Sequence, residues 1–141
     1  MGRVVGVTDG DTIRLLDQAK KQHVVRLGSI DAPERGQPFG RAAKDALSAM
    51  AFNVQAEARC WKRDRYGREV CAVFVGGRDV GLEMIREGYA WHYKAYEDEQ
   101  READRAEYAR LEAEARADRR GLWREPGAIP PWEWRRQKRR R

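Results

Sequence analysis

The chain has 141 residues, of which 41% are hydrophobic and 37% are charged, with a formal net charge of +6. This length suits one domain with a single core, and no apolar run is long enough to cross a bilayer, which argues against an integral membrane protein. Seven of the 29 basic residues but only two of the 23 acidic residues lie in 124–141, so we expect a basic tail suited to a polyanion such as nucleic acid, or to solubility alone.

The N-terminal third has the pattern of an antiparallel meander. Apolar and β-branched residues favour strands over 3–7, 12–16 and 24–30. Thr8-Asp9-Gly10-Asp11 favours a turn between the first two strands, and the polar stretch 18–22 favours a second hairpin tip.

After Pro38, the spacing of apolar residues changes from that of a strand to that of a helix. Apolar residues between Phe39 and Met50 recur at helical spacing and predict a first helix. Residues 54–60 alternate as a half-buried strand does, 70–75 form its partner, and the turn 64–68 connects them.

The C-terminal part predicts two more helices and then an irregular segment. Asp79 suits an N-cap of the second helix, and the third runs from about Glu97 to Arg120. Three prolines then predict no further regular structure, namely Pro126, Pro130 and Pro131. We therefore predict a domain over 1–123, followed by a proline-containing basic tail over 124–141. Five strands with a helix between the third and fourth indicate an α+β fold, a five-stranded OB-fold β-barrel with three α-helices.

Two acidic stretches carry candidate chemistry. Asp31 and Glu34 follow the third strand, where a loop end leaves room for a substrate. Asp11 follows a glycine in a turn, and hard cations take carboxylate and carbonyl oxygens, so Asp11, Asp31 and the Ala32 carbonyl would supply half of a calcium site. The alternatives are a solvated surface turn at 31–34 and an ordinary hairpin turn at 9–11.

Four motifs resemble the staphylococcal nuclease, or thermonuclease, family. They are DGDT at 9–12, RLGSIDAPE at 26–34, DRYGR at 64–68 and EGYAW at 87–91. They stand in the family's order along nearly the whole chain. The resemblance implies an OB-fold barrel with three helices and a calcium-dependent nuclease that cleaves DNA and RNA.

The resemblance also assigns roles to residues. Asp11, Asp31 and the Ala32 carbonyl match calcium ligands, with Asp9 supporting the metal site from outside. Glu34 matches the carboxylate that activates or positions water, and Arg26 and Arg68 match the arginines that bind the scissile phosphate. The implied contacts with the rest of the nucleotide are basic or aromatic and comprise Arg65, Tyr66 and Tyr96. Lys94 departs from a family tyrosine.

These features predict a monomeric, calcium-dependent, sugar-nonspecific phosphodiesterase, acting as an endonuclease or exonuclease on single-stranded or locally melted DNA and RNA. The family resemblance implies products with 3′-phosphate ends. The competing hypothesis is a noncatalytic nucleic-acid-binding module of the same family. An oligosaccharide-binding barrel is a third possibility, although it would not need two phosphate-directed arginines.

Cys60 and Cys71 flank the 64–68 turn almost symmetrically. They predict either a disulfide across the hairpin or a pair of reduced, buried thiols. The chain begins without an apolar signal-like segment, which fits a cytoplasmic protein or one trimmed to its mature start. Because family members are often exported, we expect a secreted or periplasmic protein whose signal peptide is absent from this chain.

Overall fold

A computed structural model describes residues 1–139 of the chain. The strands are β1 (Gly2–Asp9), β2 (Thr12–Asp17), β3 (Gln22–Leu27), β4 (Ile30–Asp31), β5 (Gln55–Arg63), β6 (Glu69–Val75), β7 (Arg78–Asp79) and β8 (Trp91–His92). The α-helices are α1 (Gly40–Ala51), α2 (Val80–Arg86), α3 (Glu102–Ala117) and α4 (Pro131–Arg139). Two 3₁₀-helices, Lys94–Glu99 and Gly121–Arg124, flank α3.

Five strands close into a barrel in the order β3-β2-β1-β5-β6, with β3 pairing back onto β6. The expected OB-fold barrel is confirmed. The neighbouring pairs are antiparallel, but the closing pair is parallel and sets Arg26 opposite Val70. Closure therefore joins the strand that precedes the acidic loop to the strand that follows the 64–68 turn.

The core lies inside the barrel and beneath the three helices expected from the sequence. Val4, Ile13 and Val25 fill the barrel, and each is at most 1% exposed. Leu47 of α1 and Met84 of α2 are fully buried against the same cluster. Burying such side chains contributes about 1.5–3 kcal/mol each, so the core stabilises the frame that holds the acidic loop.

The third strand is shorter than predicted. It ends at Leu27, and Ile30–Asp31 forms a separate strand that pairs with β8 rather than continuing along the barrel. The break occurs at Gly28, where a Cβ atom would lie 2.5 Å from the Trp61 ring. Only glycine permits this approach.

The third helix starts at Glu102 instead of Glu97, because a 3₁₀-helix comes first. The prediction of no regular structure beyond the prolines was wrong, since Pro131 begins α4. Proline is tolerated at the first helical position, where its missing N–H has no intrahelical partner to lose. Of the expected basic tail, Arg140 and Arg141 lie outside the described residues.

Cys60 and Cys71 stand opposite each other on β5 and β6 and form a disulfide. The first of the two alternatives for the cysteines is therefore confirmed. Within residues 1–139, no helix combines the length and the apolar character needed to cross a bilayer.

Candidate active site

One groove of about 800 Å³ opens beside the parallel seam of the barrel. The predicted site side chains all line it, namely Asp9, Asp11, Arg26, Asp31, Glu34, Arg65, Tyr66, Arg68 and Tyr96. Ala32 is buried, and its N–H donates to Asp11 Oδ2 at 3.0 Å. The fold thus brings the separate sequence motifs to one place.

The break after β3 positions the central charges. Arg26 lies near the end of β3, Asp31 on β4, and Glu34 in the loop beyond it. Asp31 is fully buried, whereas Glu34 is only partly covered. The change of direction at Gly28 allows side chains from both strands to face the same groove.

Arg26 lies between the two predicted metal ligands. Its Nη2 atom is 3.5 Å from Asp11 Oδ2 and 3.4 Å from Asp31 Oδ1, and Nη1 donates to the Ile30 carbonyl at 2.9 Å. Burial lowers the pKa of Arg26, but the nearby carboxylates outweigh burial and raise it overall. The guanidinium therefore stays charged among the acids.

Asp9 and Asp11 belong to the tight turn between β1 and β2. Burial, followed by the charge of Asp11, raises the pKa of Asp9 to about 7. Burial also acts to raise the pKa of Asp11, but Arg26 and hydrogen bonds offset it, so the pKa of Asp11 lies below its usual value. Asp11 is thus the ionised member of this pair, and Asp9 holds a proton more readily.

The Asp31 side chain is more deeply buried than that of Asp11. Burial raises its pKa to about 6, assisted by the charge of Asp11 and opposed by Arg135 and Arg26. A carboxylate in this environment favours a cationic partner, because a positive charge offsets its desolvation.

The loop that carries Glu34 is held at its backbone. The Glu34 N–H donates to Gln37 Oε1 at 3.0 Å. Gly40 opens α1 beside this loop, and a Cβ atom on Gly40 would collide with the Glu34 carbonyl oxygen. Glycine therefore allows the helix to approach closely and fix where Glu34 emerges.

The turn between β5 and β6 contributes the second predicted phosphate ligand. Asp64 accepts from Arg68 Nε at 2.7 Å and from the Arg68 N–H at 2.9 Å, which orients that side chain. Tyr66 is 69% exposed, and the Arg65 guanidinium lies 5.1 Å from its ring centroid. A basic and aromatic surface of this kind suits a single nucleic-acid strand.

Sequence reasoning missed Arg135 as a member of the site. Arg135 reaches from α4 and contacts Asp31, Glu34 and the Tyr93 hydroxyl. A helix signature was present, since Pro131 precedes the acidic Glu133 and the helix ends in basic residues. Other groove residues that were not predicted are Lys62, Arg63, Asp64, Tyr93, Glu99 and Arg139.

Lys94 does not replace the family tyrosine in the groove. Its ammonium group instead pairs at 3.0 Å with Glu112, which is almost completely buried on α3. Tyr93, the preceding residue, lines the groove.

The donor chemistry fits calcium. The predicted ligands offer only oxygen atoms, and Arg26 approaches both carboxylates within 3.5 Å, so Asp11 and Asp31 face one small region. Over residues 1–139, no group of three or more His, Cys, Asp or Glu side chains is arranged to hold a metal ion. The expected set differs from such a group, since it combines two carboxylates with a backbone carbonyl.

Comparisons with known proteins match most of the chain. The family model described as "Staphylococcal nuclease homologue" matches residues 24–125. Protein ParB of Escherichia coli is 43% identical over 146 residues, covering 96% of this chain and 79% of that protein. An uncharacterized endonuclease of Escherichia coli O157:H7 is 38% identical over 138 residues, covering 97% and 86%. A micrococcal nuclease of Shigella flexneri is 40% identical over 145 residues, covering 96% and 80%.

Proposed function

The chain belongs to the staphylococcal nuclease family, and on this premise we propose that it is a calcium-dependent nuclease that hydrolyses phosphodiester bonds of both DNA and RNA. Relatives named as nucleases support the general activity. The calcium requirement, the breadth of substrate and the 3′-phosphate product are our proposals, supported by the family resemblance and the chemistry of the groove.

The observation that carries the proposal is the meeting of three kinds of side chain in one groove. The groove is lined by two carboxylates suited to a hard cation, Asp11 and Asp31, and by a more exposed carboxylate, Glu34. The two phosphate-directed arginines, Arg26 and Arg68, line it as well. A noncatalytic binding module would need the basic and aromatic groups but not this acidic cluster. The combination therefore favours an enzyme over the competing hypothesis.

The proposed metal ligands are Asp11, Asp31 and the Ala32 carbonyl. Calcium held there would act as a Lewis acid toward a phosphate oxygen. Asp9 would assist from behind through its contact with Asp11, whose N–H donates to Asp9 Oδ1 at 3.1 Å. Asp11 and Asp31 are buried, where an unpaired carboxylate is costly, so a bound cation would offset their desolvation.

The arginines act on the phosphate. A guanidinium donates two parallel hydrogen bonds to phosphate oxygens and so neutralises the charge that grows in the transition state. Arg26 is anchored by the Ile30 carbonyl, and Arg68 is oriented by Asp64, so both are positioned before substrate arrives. Preorganised donors need little rearrangement during reaction, which is why they lower the barrier.

Glu34 acts on the attacking water. Its carboxylate accepts or orients a water proton while the water oxygen bonds to phosphorus and the bond from phosphorus to the 5′-oxygen breaks. The leaving oxygen takes up a proton and becomes a 5′-hydroxyl, and the phosphate stays on the 3′-oxygen. The Glu34 side chain is about one-third exposed and lines the groove, which supports this role.

The substrate we propose is single-stranded or locally melted nucleic acid. Tyr66 and Tyr96 are exposed and offer rings for stacking, and Arg65 adds a charge beside the first ring. Stacking and phosphate contacts do not read the sugar, which supports activity on both DNA and RNA. We propose a monomer in a secreted or periplasmic setting, where the Cys60–Cys71 disulfide would persist.

A cleavage assay tests the function directly. Purified protein with a labelled single-stranded DNA oligonucleotide should produce fragments in calcium and none in excess chelator, and an RNA oligonucleotide should behave alike. Enzymatic end-labelling of the products distinguishes 3′-phosphates from 3′-hydroxyls. Binding without cleavage in calcium would reject the enzyme and favour the noncatalytic module.

Two variants separate metal binding from chemistry. Asp11→Ala should weaken calcium binding, because it removes a ligand, whereas Glu34→Gln should retain most calcium affinity and lose cleavage rate. Calcium titration calorimetry and single-turnover cleavage at saturating calcium measure the two effects independently. A wild-type cleavage rate in Glu34→Gln would contradict its assigned role.

A further inference from the structure

The C-terminal helix α4 borders the groove, which its residues Arg135 and Arg139 line, and two of its side chains one turn apart hold it there. Trp132 stacks on Tyr93 with ring centroids 5.6 Å apart and planes at 5°, and it meets Trp91 edge-on. Arg135 follows three residues later, so it projects from the same face of the helix. Its guanidinium enters the acidic cluster.

Arg135 forms the closest contacts with the acids. Its Nη2 and Nη1 atoms lie 2.8 and 3.2 Å from the two oxygens of Asp31, and Nη1 also lies 2.5 Å from Glu34 Oε1. This is a forked contact that engages both oxygens of a buried carboxylate. Burial opposes the charge of Arg135, but its bonds to Asp31 and Glu34 outweigh burial and raise its pKa overall.

The fork occupies the atoms that the proposed reaction needs. A directly bound calcium ion requires an oxygen of Asp31 at about 2.3–2.6 Å, and the guanidinium holds both of them. A positive charge this close also repels a dication. Glu34 is engaged as well, so the arginine covers the carboxylate that would handle water.

We propose that Arg135 is an internal competitor for calcium, and that α4 is an autoinhibitory latch that calcium releases. The inference rests on the proposed function, because it takes Asp31 as a calcium ligand. When calcium takes Asp31, Arg135 leaves the acids, and the helix keeps only its aromatic contacts and the basic residues that face solvent. Release opens the groove to nucleic acid and frees Glu34 for water.

Residues 125–130 form a strap that precedes α4 and keeps the latch attached to the acidic loop. Gln37 Nε2 donates to the Ile129 carbonyl at 2.6 Å, while Gln37 Oε1 accepts from the Glu34 N–H. Gln37 therefore ties the strap to the acidic loop. In the proposed release, α4 therefore swings away and returns about the Gln37–Ile129 hydrogen bond and stays next to the domain.

Calcium affinity provides the first test. Arg135→Ala should bind calcium about tenfold more tightly or better than wild type by titration calorimetry, because a charge-assisted contact no longer competes. Arg136→Ala is the matched control, since it removes the same charge from the same helix but its side chain pairs only with Glu133 among the described residues. The control should change the dissociation constant less than about twofold, as expected for an exposed pair.

Hydrogen exchange provides the second test. In wild type, saturating calcium should speed exchange of the 132–139 amides at least about threefold, because the helix loses the contacts that Arg135 makes with Asp31 and Glu34. In Arg135→Ala these amides should exchange fast without calcium and respond little to it. Arg135→Gln, which keeps the aliphatic stem, should behave like Arg135→Ala if loss of the charge is the cause.

The outcomes separate this inference from the function beneath it. Equal or weaker calcium binding in Arg135→Ala, or unchanged or slower exchange of α4 in calcium, would overturn the latch while leaving a calcium-dependent nuclease intact. Absence of both calcium binding and cleavage in wild type and Arg135→Ala alike would overturn the latch and the proposed function together. Tighter binding confined to the Arg135 variants, with calcium-dependent exchange in wild type, would support the latch.

Discussion

Reduction of the disulfide provides a prediction whose size follows from the structure. Cys60 and Cys71 are 11 positions apart and cross-link β5 to β6 at the base of the hairpin that carries Arg68. In the chain-entropy treatment, closing a loop of this length destabilises the unfolded state by about 3 kcal/mol. Reduced protein should therefore have a free energy of unfolding about 3 kcal/mol lower than oxidised protein.

Urea unfolding followed by tryptophan fluorescence measures this difference. Reduced wild type is a better comparison than an alanine variant, because Cys71 is fully buried and truncation would add a packing loss. The melting temperature should fall by roughly 10 °C as well, given the size of the domain. The double variant Cys60→Ala with Cys71→Ala is the control, and reductant should leave its stability unchanged.

One outcome would contradict an effect of the cross-link on the unfolded state. If thiol titration shows two free cysteines and the unfolding free energy of wild type still equals that of the oxidised form, the cross-link contributes nothing through the unfolded state. The same titration on untreated protein checks the bond itself, since two free thiols after air oxidation would contradict it.

Two further predictions concern the two phosphate-directed arginines and His23 of β3. Arg26→Lys and Arg68→Lys keep the charge but lose the fork, so each should slow single-turnover cleavage by an amount on the order of a few kcal/mol of barrier, and wild-type rates would contradict their phosphate role. The hydrogen bond that His23 Nε2 donates to Asp17, followed by the charge of Glu69, raises the pKa of His23 against partial burial. Its contribution to stability is therefore complete below the ordinary value of 6.5 and is lost as pH rises through the raised value, so His23→Gln should cost more stability at about pH 5.5 than at about pH 8.5 by urea unfolding. An equal cost at both pH values would contradict this linkage.

The spacing of residues along the sequence was sufficient to predict much of the candidate site. Asp31 and Glu34 lie three residues apart at the end of a strand, so any fold that ends the strand there brings them together. The turn at Asp11 could also be predicted, from its glycine and its two aspartates. The position of Arg68 could not be predicted from spacing alone, because the pairing of β3 with β6 brings it to the groove that Arg26 also lines.

Arg135 could not be placed from the sequence in the same way. It contacts Asp31 across 104 positions, and no periodic pattern joins residues so distant. The prolines before it indicated irregular chain, although Pro131 fits the first position of a helix. The break at Gly28 was missed for a related reason, since it depends on the Trp61 ring packing from another strand.

The parallel seam between β3 and β6 also affects how the protein gains activity as it folds. The hairpins β1–β2, β2–β3 and β5–β6 join neighbours along the chain, whereas the seam joins strands separated by α1 and β5. Nonlocal pairings carry a larger loop-closure cost and so form later. A slip of one residue in the seam would turn Arg26 to the opposite face. Because the pairing of β3 with β6 brings Arg26 and Arg68 into one groove, a chain with its hairpins formed but its barrel open would be an inert intermediate. Recovery of activity during refolding would then report the closure of the barrel.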